Sequence, residues 1–157
     1  MSGAEKVPHH FSHYLVSEFM VYLYRLEESM KAGNQSEIKK NRKSAFSTGS
    51  KVVKCSKKAE VYRTEGLRLM GSYYWLIGKR KKAIKWWCKS IQEGERLGAR
   101  LEVSRTYFEV GKRLLEEKSK YKELNGIKAE EYLAKAKTMF EEMDLQWDLD
   151  QLERIAA

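Results

Sequence analysis

The sequence predicts an all-α fold in which about seven helices form antiparallel pairs. Long stretches are rich in Lys, Glu, Leu and Ala, and the one proline, Pro8, lies near the start. Apolar residues recur at helical spacing between glycine-bearing turns, whereas strand patterns are nearly absent. A chain of 157 residues with 42% apolar residues can bury a continuous core without a metal or a disulfide. We therefore expect a single helical domain over residues 1–157.

The segment 1–61 predicts one degenerate helix pair. Apolar residues between Phe11 and Met30 follow a helical stripe, and Gly33-Asn34 then ends one helix and begins the next. Asn34 with Glu37 three residues later forms a capping-box pattern. Gly49, within the second helix, indicates that a neighbouring element approaches closely there. The apolar face of this strongly basic helix consists of Ile38, Ala45, Val52 and Ala59.

The segment 62–98 carries the most specific pattern in the chain. Its key positions are Leu67, Met70, Gly71, Tyr74, then a turn at Gly78, then Ala83 and Trp87. This pattern resembles the tetratricopeptide repeat (TPR), in which a large apolar residue, Leu-Gly and Tyr precede a turn that is followed by Ala and Phe. The resemblance implies that two antiparallel helices cross at Gly71 and Ala83, and that successive pairs stack as a short right-handed superhelix.

The segment 99–143 repeats the register. Val103, Ser104, Tyr107 and Gly111 each follow Met70, Gly71, Tyr74 and Gly78 by 33 residues. The small and large positions of the second helix reappear only at Ala129, Leu133 and Ala136, which indicates an insertion after Leu114 with a turn at Asn125-Gly126. Residues 144–157 predict a short amphipathic helix that caps the repeats.

The region from about Arg63 to Ile155 also resembles the C-terminal repeat region of large bacterial signalling proteins. Those proteins join such repeats to an ATPase module, and often to a class III nucleotide cyclase or a regulator domain. The likeness is carried by residues 94–100, 123–127 and 132–143. It implies a subfamily of repeats, present either in a longer parent chain or in a stand-alone relative, and it implies no activity. Asp144 stands where that family suggests glycine, and Asp tolerates the left-handed conformation better than most residues.

Charge is distributed unevenly along the chain, whose formal net charge is +9. Residues 39–58 contain eight basic residues and no acid, and residues 79–89 contain six more basic residues. Residues 128–157 contain eight acids and four bases. Clustered lysines neutralise phosphates, so the alternative function is nucleic-acid binding through stretches 39–58 and 79–89. No helix-turn-helix or aromatic RNA-binding motif accompanies these lysines, and basic runs on helices are usually solvated faces.

Residues suited to catalysis or metal binding are few. The histidines are His9, His10 and His13; His9 and His13 could share a helix face, but no Cys or acid completes a metal site. No glycine loop of the phosphate-binding kind is present. Cys55 and Cys88 lack a metal-ligand spacing and indicate buried thiols in a reducing compartment, with a disulfide as the less favoured alternative. We therefore expect no enzyme activity, catalytic residue, metal or cofactor.

Without a long apolar window or a signal-peptide core at the start, the chain is expected in the cytoplasm and not in a membrane. We predict a protein-interaction or scaffold module whose partner is another protein or another domain of a longer parent chain. Implied contact residues on the concave surface are Arg68, Ser72, Trp75, Arg105 and Phe108, whereas Tyr74 and Trp87 are expected in the core. TPR modules that clamp a terminal carboxylate use Lys and Asn where Arg68 and Ser72 stand, so an acidic segment or amphipathic helix fits better. A third alternative, sensing of a small ligand, has no ligand-specific polar cluster to support it.

Overall fold

The computed structural model describes residues 9–116 and 119–156. This part of the chain forms seven α-helices: α1 His9–Lys31, α2 Gln35–Ser56, α3 Arg63–Leu76, α4 Arg80–Leu97, α5 Arg100–Leu114, α6 Ala129–Glu142 and α7 Gln146–Ala156. A 3-10 turn, Glu60–Tyr62, precedes α3, and two short strands, β1 Glu123–Leu124 and β2 Ile127–Lys128, precede α6. The predicted all-α class is confirmed. The segment 1–8, on which the signal-peptide prediction depends, and the side chains of His9 and His10 lie outside the described residues.

Contacts within the chain divide it into two compact units, Met1–Trp86 and Trp87–Ala157, which we call the N-terminal and C-terminal units. The boundary lies inside α4. In the N-terminal unit, α1, α2 and α3 pack against one another. The core that they share consists of Leu15, Val16, Phe19, Leu23, Leu26, Ala45, Val52, Leu69, Met70 and Tyr73.

The close approach predicted at Gly49 is confirmed. A Cβ added there would lie 2.6 Å from Phe19 Cζ and 3.0 Å from Met70 Sδ. Because Phe19 is fully buried, its ring has little room to move away. Glycine at this position therefore allows α1 and α3 to pack onto α2.

Helix ends follow the sequence signals. Asn34 Oδ1 accepts a hydrogen bond from the Glu37 backbone N–H at 3.2 Å, as the capping pattern predicts. Beyond the end of α6, Asp144 adopts a left-handed φ of 56°, and the next N–H, that of Leu145, donates to the Phe140 carbonyl at 2.9 Å. This is the Schellman arrangement that glycine usually permits, so the expected tolerance of Asp144 is confirmed.

The C-terminal unit is built on the α5–α6 pair, against which α7 packs. The predicted insertion contains a hairpin in which β1 pairs antiparallel with β2, and Asn125 and Gly126 form its turn with φ of 54° and 73°. Tyr132 Oη anchors the hairpin by donating to the Leu124 carbonyl at 2.9 Å.

Gly111 differs from its register partner Gly78. Gly78 follows α3 and has a φ of 79°, whereas Gly111 lies inside α5. A Cβ on Gly111 would lie 2.7 Å from Leu133 Cγ, so this glycine allows α6 to approach α5. In the sequence, the 33-residue offset therefore matches residues inside α3 with residues inside α5, but it does not match the ends of the two helices.

Candidate partner-binding surfaces

The two polar contact residues predicted on α3 are engaged within the N-terminal unit. Arg68 Nη2 lies 3.5 Å from Glu65 Oε1, and both side chains are largely covered. Ser72 is buried, and its Oγ donates to the Arg68 carbonyl at 3.3 Å. Both side chains therefore make contacts with other residues of α3 itself.

Trp75 lies in the interior, although the sequence placed its ring on a solvent-facing surface. The side chain is 1% exposed, and the Arg80 guanidinium lies 4.0 Å from the ring centroid. Arg80 Nη1 also donates to the Trp75 carbonyl. Charge over a desolvated tryptophan face stabilises by roughly 2 kcal/mol, so this pair fixes the start of α4 to α3. Of the two residues expected in the core, Trp87 is fully buried and Tyr74 is half-buried.

The two predicted contact residues on α5 belong to the C-terminal unit. Arg105 donates from Nε and Nη2 to the two carboxylate oxygens of Asp148, at 2.9 Å and 3.0 Å. Asp148 is 5% exposed, so this bidentate pair holds α7 onto α5. Phe108 is half-buried and meets Phe140 edge-on, with ring centroids 6.1 Å apart. Arg105 and Phe108 therefore join helices of their own unit.

A different surface, on α2, presents a row of exposed lysines. Lys40, Lys43, Lys51 and Lys54 follow one another by 3, 8 and 3 residues and are all exposed. This spacing places them on one side of the helix, and we call them the lysine face. Lys40 lies 4.0 Å from Glu37, whereas the other three have no acidic side chain within that distance among the described residues.

α1 carries a second apolar stripe opposite its buried one. The buried stripe contains Leu15, Phe19, Leu23 and Leu26. The exposed stripe contains Phe11, Tyr14, Val21 and Tyr24, of which Tyr14 and Tyr24 are 62% and 66% exposed. Sequence reasoning missed this surface, although the spacing of 3, 7 and 3 residues was a readable signal of a second helical stripe.

In the second basic stretch, 79–89, two of the basic side chains contact aromatic rings of α3. Lys79, Lys81 and Lys85 are exposed, but Arg80 is held by Trp75 and the Lys82 ammonium lies 5.4 Å from the Tyr74 ring centroid. Residues 79–86 belong to the N-terminal unit, and Lys89 belongs to the other unit.

Burial favours the neutral forms of one thiol and two phenols in the C-terminal unit. Burial raises the pKa of the Cys88 thiol, which donates to Asn125 Oδ1 at 3.5 Å. Burial and a hydrogen bond to Glu95 raise the pKa of Tyr107 to about 12. Burial likewise raises the pKa of Tyr132. A protonated thiol is a weak nucleophile, and these shifts move each group away from neutral pH, so the cluster resembles a packed interior more than an acid-base site. Cys55 and Cys88 are both half-buried free thiols.

Within residues 9–116 and 119–156, no three His, Cys, Asp or Glu side chains form a group that could hold a metal ion. None of the helices described is long and apolar enough to cross a membrane. No protein-family model matches the chain, and searches of curated proteins and of solved structures return no match.

Proposed function

We propose that the chain is a non-catalytic, TPR-like protein-binding module that recognises an acidic segment of a partner through its N-terminal unit. It acts either as a stand-alone scaffold or as one region of a larger signalling protein. The observation that carries this proposal is the lysine face, four exposed lysines on one side of α2 within a stretch that contains no acid.

Charge on the lysine face is not explained by folding. Like charges three or four residues apart on a helix destabilise it by roughly 0.2–0.5 kcal/mol per pair. Residues 1–86 contain 18 basic and 7 acidic residues, a net charge of +11, whereas residues 87–157 contain 13 and 15, a net charge of −2. A field of one sign attracts an oppositely charged partner and accelerates its association.

The TPR-like architecture is supported by how the repeat positions pack. Met70, Ala83 and Trp87 are buried, as are Val103, Ala129 and Ala136 of the second repeat. The pattern therefore describes interior packing, which by itself names no ligand. Recognition is better assigned to side chains that the fold leaves uncommitted, and the five residues predicted for the concave surface are largely committed.

Nucleic-acid binding is the second candidate, because phosphates would also neutralise the lysine face. The two functions differ in how much of the basic surface they would use. A nucleic acid contacts any accessible cation and would use both basic stretches, whereas an acidic polypeptide of limited length depends chiefly on the lysine face.

The test compares two charge reversals of equal size. Lys43→Glu with Lys54→Glu changes the lysine face, and Lys79→Glu with Lys81→Glu changes the other basic stretch; each lowers the net charge from +9 to about +5. Fluorescence anisotropy measures binding of labelled peptides of about 18 residues rich in Glu, Asp and Leu, and of duplex DNA, at about 50 mM salt.

We expect the first reversal to weaken peptide binding by about tenfold or more, and the second by less than about threefold. Absence of peptide binding to the wild-type chain would overturn the proposal. DNA binding that is tighter than peptide binding and is weakened by both reversals would establish the second candidate instead.

A further inference from the structure

A groove lies between α1 and α2, next to the lysine face. It is open to solvent and has a volume of about 530 Å³. Its walls include Tyr22, Tyr24 and Arg25 of α1 and Lys40, Asn41 and Ser44 of α2. The helices are fastened at this place, because Asn41 is buried and its Nδ2 donates to the Arg25 carbonyl at 3.4 Å. This hydrogen bond links α1 and α2 at the groove.

Side chains of the groove combine an aromatic wall with uncommitted positive charge. Tyr24 presents its ring to solvent, and Tyr22 beside it is half-buried. Arg25 is exposed and has no acidic side chain within 4.0 Å among the described residues. Such a site suits an apolar or aromatic side chain that is followed by a carboxylate, because tyrosine supplies rigid contact area and arginine binds carboxylates in a bidentate manner.

Two acids also line the groove, and each is already engaged. Glu28 Oε1 lies 2.8 Å from Lys31 Nζ, and this hydrogen bond raises the pKa of Lys31. Glu37 belongs to the first turn of α2, where the helix dipole stabilises a negative charge, and it lies 4.0 Å from Lys40. With Glu28 close to Lys31 and Glu37 close to Lys40, the remaining charge in the lining of the groove is the positive charge of Arg25.

Lys40 belongs to both the groove and the lysine face. From Lys40 to Lys54 the face spans 14 residues of α2, which at 1.5 Å per residue is about 21 Å. A partner helix of about four turns has the same length and can repeat its acids every three or four residues along one side. An extended chain of equal length would carry its side chains at a different period.

We propose that the occupant of this surface is an acidic amphipathic helix. One apolar side chain of that helix enters the groove beside Tyr24, and its row of carboxylates follows Lys40, Lys43, Lys51 and Lys54. This inference rests on the proposed function and specifies the partner's conformation and its anchor. Charge complementarity with the lysine face explains the carboxylates of the partner helix. The groove determines which apolar side chain binds and how the partner helix is positioned along α2.

The experiment uses two labelled peptides of identical composition, each about 18 residues long. One peptide is an amphipathic helix with Glu along a single stripe and one Trp on its flank, and the other is a scramble of it. Binding to the full chain is measured by fluorescence anisotropy, and helix formation in the bound peptide by circular dichroism. Tyr24→Ser tests the groove. Tyr14→Ser is the matched control, since Tyr14 is a similarly exposed tyrosine of α1 that does not line the groove.

We expect the helical peptide to bind about tenfold more tightly than the scramble and to gain helicity on binding. Tyr24→Ser should weaken the helical peptide by about fivefold or more, whereas Tyr14→Ser should change it by less than about twofold. Equal binding of both peptides, or equal effects of the two tyrosine changes, would overturn the inference.

Failure of the inference and failure of the proposed function give different results. If both peptides bind equally and Lys43→Glu with Lys54→Glu weakens both, the groove inference is wrong and recognition of acidic partners stands. If neither peptide binds at low salt, both are wrong. If the chain alone self-associates at low salt and the helical peptide fails to dissociate it, the occupant is a second copy and the inference is overturned.

Discussion

The two units differ in where their most prominent charges lie. In the C-terminal unit, the buried charged side chains are paired: Arg113 contacts Glu109 and Glu116 at 2.9 Å each, and Asp148 contacts Arg105 at 2.9 Å. In the N-terminal unit, the lysine face is exposed, and among the residues that the structure describes only Lys40 has an acidic side chain within 4.0 Å.

This contrast separates side chains that serve the fold from those that are free to serve a partner. Paired, buried charges contribute to stability only while both members are present. Exposed lysines contribute little to stability, so the lysine face is available to a partner. The C-terminal unit is therefore interpreted as scaffold and the N-terminal unit as the recognition surface.

The largest expected effect is on the ion pair between Arg105 and the buried Asp148. Asp148→Asn removes the bidentate partner of the Arg105 guanidinium and leaves it only Glu102, at 3.8 Å; because Arg105 is partly exposed, we expect the lower end of the about 3–5 kcal/mol that breaking a buried pair costs. Thermal unfolding followed by circular dichroism should show a clear decrease in Tm. Lys54→Ala, in the lysine face, is the comparison and should change Tm little; equal effects would remove the distinction between the two units.

Packing in the N-terminal unit should give the next effect. Gly49→Ala places a Cβ against the buried Phe19 ring, and overpacking of this kind costs about 1–3 kcal/mol. Chemical denaturation measures the change in the free energy of unfolding. Ser47→Ala, at an exposed position of the same helix, should be neutral or slightly stabilising because alanine favours helices. Tolerance of Gly49→Ala would show that α1 and α3 do not depend on this close approach.

Alkaline pH should weaken the C-terminal unit through Tyr107. Its pKa in the folded chain is about 12, against an ordinary value of 10.0, because burial and Glu95 disfavour the phenolate. Below pH 10 both states are protonated and the effect is absent; between pH 10 and 12 the unfolded chain loses the proton first, so the free energy of unfolding falls. Tyr107→Phe should make that fall shallower, and an unchanged pH profile would refute the assignment to Tyr107.

The smallest effect on stability is expected at the lysine face itself. Lys43→Gln with Lys54→Gln removes like-charge repulsion and should change the free energy of unfolding by less than about 0.5 kcal/mol, toward greater stability. Salt should reduce even this difference, since exposed charges are screened. A clear loss of stability in low-salt denaturation would mean that these lysines support the fold after all.

Local signals in the sequence predicted local structure well. Asn34, Gly49 and Asp144 each act through backbone conformation or one close contact, and the structure places all three as expected. The two strands were missed, because two-residue strands in an insertion carry no periodicity.

The candidate site was less predictable, because it depends on which contacts the fold completes. The Arg105–Asp148 pair joins residues 43 positions apart, so nothing near Arg105 in sequence reveals its partner. Trp75 was assigned to a surface because the repeat pattern predicts only which residues lie where two helices cross. It does not predict that the Arg80 guanidinium covers the Trp75 ring. The lysine cluster was visible in the sequence, whereas only the structure shows that Lys43, Lys51 and Lys54 have no acidic side chain within 4.0 Å among the described residues.

Recognition by the N-terminal unit is tested most directly by comparing equal charge reversals in the two units. Lys43→Glu with Lys54→Glu changes the lysine face, and Lys120→Glu with Lys122→Glu changes exposed lysines of the C-terminal unit. Affinity for the helical acidic peptide is measured with both variants at the same salt concentration. The first variant should bind about tenfold or more weakly than the wild-type chain, and the second should remain within about threefold of it. Equal weakening by both would show that the peptide responds to net charge alone, and would contradict the assignment of recognition to the N-terminal unit.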